Sequence, residues 1–146
     1  MTSHGTYRFN WDHTAAANPV VLHGIKLLDL EAESESIAAA HDPVRSARTL
    51  ARLDTLRLTL MKLKSGAKVK QHHTDHELSI HTVSGHVSIQ TPHGRFELPQ
   101  GRIAVLGRGL VHDIEAQEES AILVTVCMSG RDDPRRAEPD NPPAED

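Results

Sequence analysis

The sequence predicts an all-β domain, an antiparallel sandwich or barrel. Between Asp54 and Met128, short runs alternate apolar with polar residues, the period of strands that bury one face. Glycine and proline turn signals interrupt those runs at roughly the eight- to twelve-residue spacing of such folds. With 146 residues the chain is long enough to bury a single core.

The elements follow in order. Tyr7, Phe9 and Trp11 alternate in residues 1–19, so an extended segment carries all three rings on one face. Phe96 is the other aromatic residue of the chain. Rings of that size need apolar surface to cover, either an open edge of their own barrel or a partner subunit. Val20–Leu22 and Ile25–Leu30 read as short strands, or Asp29 caps a helix over Leu30–Ala40. Asp42-Pro43 ends whatever precedes it. Residues 41–52 are a polar connection in which a strand starts late. Leu56, Leu58 and Leu60 then mark a strand with one buried face, and Lys64-Ser65-Gly66 a turn. Leu78, Ile80 and Thr82 share one strand face, and Ser84-Gly85 turns into Val87 and Ile89. Pro92-His93-Gly94 is a hairpin turn before Phe96 and Leu98. Pro99-Gln100-Gly101 leads into Ile103–Leu106, and Gly107-Arg108-Gly109 into Val111–Ile114. Ala121–Met128 supplies the last strand. Ser129–Asp146 has no Val, Ile, Leu or aromatic residue and holds half of the chain's eight prolines. Such a composition cannot offset the entropy of ordering, so a disordered tail is expected.

Charge and cysteine content narrow the function. A formal net charge of −4 and a pI near 6.2 give no electrostatic reason to expect a nucleic-acid partner. Cys127 is the one cysteine and lies in an apolar run, so an inert core thiol is expected. Residues 1–19 lack the apolar stretch of a signal peptide, and Ala121–Met128 is too short to span a bilayer. A soluble, cytoplasmic protein with no membrane partner is the resulting expectation.

The stretch from Gly66 to Ala116 resembles the cupin superfamily of small jelly-roll proteins. Their first motif, G-x5-H-x-H-x(3,4)-E-x6-G, is matched by Gly66, His72 and Gly85. Its second histidine falls on Thr74 and its glutamate on Leu78. Their second motif, G-x5-P-x-G-x2-H-x3-N, is matched by Gly101, Gly109 and His112. Gly107 stands at its proline and Ala116 at its asparagine. The resemblance implies a double-stranded β-helix over residues 50–128. Residues 1–49 would then be an arm and extension packing on the barrel or on a partner, and 129–146 the disordered tail.

Metal-binding members use three histidines and a glutamate, which suits Fe, Mn, Ni, Zn or Cu. His72 and His112 remain of that set. His76 and Glu77 are further metal candidates, Glu77 only if a bulge before its strand swings it inward. Thr74, Leu78 and Ile80 are expected to line the pocket. His81 and His86 fall on the face opposite Ile80 and Val87, and no catalytic residue is assigned. The leading expectation is a homodimer with a small-molecule pocket at the barrel mouth, flanked by His72 and His112, its divalent metal held weakly or lost. The alternatives are a metal-dependent oxygenase or isomerase acting on a small polar molecule, and a non-catalytic binding or regulatory module.

Overall fold

Residues 24–71 and 75–128 are described in the structure, a computed structural model. The N-terminal rings, His72, Thr74 and the segment 129–146 therefore lie outside the described residues. After a short helix, α1 (Leu30–Glu35), come β1 (Ala47–Arg52), β2 (Leu56–Leu63), β3 (Lys68–Gln71), β4 (Glu77–Ser84) and β5 (His86–Thr91). They are followed by β6 (Gly94–Pro99), β7 (Ile103–Leu106), β8 (His112–Ala116) and β9 (Ser120–Cys127). One sheet has the order β1-β2-β9-β4-β7 and the other β3-β8-β5-β6, with every ladder antiparallel. This is the expected jelly roll, two sheets enclosing one core. Among the described residues no helix is long and apolar enough to cross a membrane.

Strand parity decides what each sheet buries. On the inner faces Leu63, Ile80, Ile122 and Leu106 of the first sheet meet Val69, Ile114, Val87, Ile89 and Leu98 of the second. Each such side chain contributes about 1.5–3 kcal/mol when fully buried. Thr82 ties the sheets together, donating its hydroxyl to the Leu98 carbonyl at 2.9 Å inside the core.

A second cluster lies on the outer face of the five-stranded sheet. There Leu60 packs with Leu50 and Ile37, flanked by Leu28, Leu30, Val83 and Leu123. The leucine face predicted for β2 is thus buried beneath the segment around α1, while Met61 and Leu63 face the sandwich interior. The outer face of the other sheet is hydrophilic, carrying Lys68, Lys70, Glu115, Asp113, Arg95 and Glu97.

Asp29 caps α1 as expected, its carboxylate accepting from the Glu31 and Ala32 N–H groups at 3.1 and 3.2 Å. The helix stops at Glu35 rather than reaching Ala40. Ala40 instead bridges to Leu63, donating to the Lys62 carbonyl and accepting from the Lys64 N–H, both at 3.1 Å. That tertiary pairing outweighs alanine's modest helical preference. Residues 25–29 are not a strand. Cys127 is exposed, not the core thiol expected, because Val124 and Val126 take the inner positions of β9.

Candidate functional site

One end of the sandwich gathers the chemistry. The connections β5–β6 and β7–β8 meet there, with the end of β3, the starts of β2 and β4 and the end of β9. His112 opens β8 at this end, its backbone paired with Gln71 at the end of β3. It shares the inner parity of Ile114 and Ala116 and is 1% exposed. Its Nδ1 lies 3.0 Å from the Leu110 carbonyl oxygen. A carbonyl only accepts, so Nδ1 carries the proton, which leaves Nε2 as the ring nitrogen that can face a ligand.

The other candidate residues are placed as follows. Leu78 and Ile80 are on the inner face, 7% and 0% exposed, opposite Leu106 and Ala104 of β7. They are core residues, with Leu78 the nearer to the open end. Glu77 begins β4 directly opposite Cys127 and is exposed. The β4–β9 ladder runs in register from Glu77 to Thr82 before its irregularity, so no bulge turns Glu77 inward. His76 is half-buried just ahead of β4. Among the described residues, no three His, Cys, Asp or Glu side chains come together to hold a metal ion. The described residues therefore do not by themselves fit a metal centre. His81 and His86 lie on outer faces, and His86 pairs with Glu97 at 2.8 Å.

A groove of about 410 Å³ runs from this end along the opening between the edge strands β6 and β7. Phe96, Leu98, Ile89, Ala104, Leu106 and Leu110 line it, with Thr91 and His93 at its polar rim. It differs from the expected lining of Leu78 and Ile80, which are core residues one strand in from the β7 edge.

Two arginines at the same end carried no motif. Arg52 lies directly opposite Arg57 in the β1–β2 ladder, just after a bulge between Thr49 and Ala51. Arg57 also pairs with Val126, and β2 alternation puts it on the side of Met61 and Leu63. Arg57 is half-buried and Arg52 exposed. Only the hairpin register brings the two together.

No family model and no curated protein matches the chain, but solved structures do. A cupin-2 domain containing protein from Shewanella frigidimarina superposes with a TM-score of 0.57 at 19% identity, over 68% of this chain and 92% of that one. A cupin superfamily protein from Desulfitobacterium hafniense gives 0.55 at 14%, over 57% and 76%. A Neisseria meningitidis protein gives 0.59 at 14%, over 70% and 99%. These likenesses show the fold, a cupin jelly roll over part of the chain.

Proposed function

We propose that this chain of cupin fold binds a small molecule at the open end of its sandwich, beside His112, and that any metal there is held weakly or has been lost. His112 carries the reading. A fully enclosed imidazole with Nδ1–H spent on a carbonyl offers Nε2 to a ligand, as hydrogen-bond acceptor or as metal ligand. The apolar groove at the same end, whose lining reaches Leu110, supports it, since small-molecule sites are concave, mostly apolar and marked by a few polar groups. A homodimer belongs to the same proposal. Its support is the apolar edge of the five-stranded sheet, where Ile103 is 57% and Val105 81% exposed. Binding without catalysis is sufficient to explain these features.

A metal-dependent oxygenase or isomerase is the second reading, favoured by one observation. An imidazole held through its far nitrogen by a backbone carbonyl is the usual posture of a metal-ligating histidine. That reading needs further ligands which the described residues do not bring together, so no catalytic step is derived from it.

Elemental analysis of freshly purified protein separates the two. A thermal-shift screen of small polar metabolites, and of Mn2+, Ni2+ and Zn2+ after chelator treatment, then tests binding itself. The binding reading expects substoichiometric metal and a metabolite whose midpoint shift is lost in His112→Ala and His112→Gln but kept in His81→Ala. A stoichiometric metal lost in both His112 variants favours the enzyme. A shift that survives in both variants refutes a role for His112.

A further inference from the structure

We propose that Arg52 and Arg57 form an anion subsite at the open end of the sandwich, one that takes a carboxylate. This rests on the reading of that end as the ligand pocket and adds the charge of what binds. In an antiparallel ladder, directly opposite residues hold their Cβ atoms about 4.5–5.5 Å apart, and like charges so placed repel. Arg52 and Arg57 are such a pair. Among the described residues the ion pairs engage Arg45, Arg48, His86 and Arg95, and neither of these two arginines. Arg57 is in addition half-buried, which weakens the screening of its charge by water.

The frame around the pair is fixed. Leu53 donates to the Leu56 carbonyl at 2.8 Å to close the hairpin, and Met128 donates to the Thr55 carbonyl at 2.7 Å. A carboxylate between the two guanidinium forks turns mutual repulsion into two charge-assisted, bidentate contacts. Because the hairpin backbone that carries both residues is held beforehand, no backbone ordering is needed when it arrives.

The carboxylate has two sources. One is a free small molecule. The other is the chain itself, because Met128 is tied to Thr55 beside the hairpin, and Asp132 and Asp133 follow within a few residues.

The test uses the full chain in low-salt buffer, with succinate as probe and the neutral diamide succinamide as control. Succinate is expected to raise the thermal midpoint of the wild type, and succinamide to leave it unchanged. Arg52→Gln and Arg57→Gln should each weaken succinate binding at least tenfold by calorimetry. In the absence of succinate each should raise the midpoint, because the repulsion is gone. Arg57→Lys, which keeps the charge and loses the fork, should fall between. Unchanged succinate affinity in both glutamine variants, or an equal response to succinamide, overturns the proposal. His112→Gln separates the subsite from the pocket. Succinate binding kept in His112→Gln and lost in Arg57→Gln supports the subsite while refuting the role of His112. The reverse pattern sinks the subsite and leaves the pocket standing. A full-length Asp132→Asn, Asp133→Asn variant identifies the source. Severalfold tighter succinate binding, still dependent on Arg57, supports the chain's own carboxylates as occupant, and unchanged affinity supports a free one.

Discussion

Gly85 is the single residue between β4 and β5, and replacing it with alanine probes how tightly the sandwich closes. Its φ is +85°, in the left-handed region that costs a residue with Cβ about 1–2 kcal/mol. A Cβ at this position would lie 2.4 Å from the Glu119 carbonyl oxygen, 2.4 Å from Ser120 Oγ and 2.7 Å from Ser120 Cα. Two of those atoms are backbone and have no rotamer to escape into. Ser120 Oγ is also committed, accepting the His86 N–H at 2.9 Å and donating to the Glu118 carbonyl at 2.7 Å. Displacing it forfeits about 1 kcal/mol per hydrogen bond. Overpacking adds about 1–3 kcal/mol, and the reduced freedom of the unfolded chain returns about 0.4–1 kcal/mol. The net loss comes to roughly 3–5 kcal/mol. At about 4 °C per kcal/mol for a domain near 100 residues, Gly85→Ala should lower the thermal midpoint by roughly 12–20 °C.

Gly101→Ala is the internal control. Its φ is +88°, yet nothing lies within 4 Å of the added Cβ. Only the backbone penalty and the same unfolded-chain return apply, leaving about 0–1.6 kcal/mol, so a fall of no more than about 6 °C is expected. Scanning calorimetry of both variants under one condition measures the difference. Equal losses would refute the argument, because the close approach of the Glu119–Ser120 backbone would then contribute nothing.

Two further outcomes are expected. The Glu97 carboxyl is held below the usual carboxylate range by its hydrogen bond from His86 and then by Arg95. Its folded-state value is depressed, so its contribution is present above the ordinary carboxylate pKa and lost as pH falls through the lowered one. The midpoint–pH curves of Glu97→Gln and wild type should therefore converge in acid, and a gap that widens there would contradict this sign. Deleting residues 1–12, with the three rings, should destabilise the protein or weaken its self-association, because Ile103 and Val105 leave apolar sheet edge to cover. Sedimentation of both forms as equally stable monomers would refute the dimer and the role of the arm together.

The strands could be read from the sequence because burial on one face writes itself as period two, and Leu78-x-Ile80-x-Thr82 is an inner face as expected. The sequence could not say which face of β2 looks inward. Leu56, Leu58 and Leu60 have the stronger pattern, yet Met61 and Leu63 face the sandwich core. Both faces are covered, and alternation alone does not tell a helix lid from an opposing sheet. The end of α1 was hidden for a similar reason. Ala40 leaves the helix to pair with residues 62–64, a contact no local propensity encodes.

The candidate site divides along the same line. His112 was legible because a glycine-rich turn followed closely by a strand fixes the parity of the next residues, and its burial follows from that parity. Glu77 was not, since whether a bulge turns it inward depends on how β9 pairs with β4, and that ladder is regular from Glu77 to Thr82. Arg52 and Arg57 lie further from any local signal. Without the irregularity between Thr49 and Ala51, continuing the β1–β2 register from Thr49↔Thr59 would put Ala51 opposite Arg57 and Arg52 opposite Leu56. One extra residue in a strand thus sets two arginines directly opposite each other in the ladder. A like-charge contact made by such an irregularity costs stability, and an anion held between the forks is what would offset it.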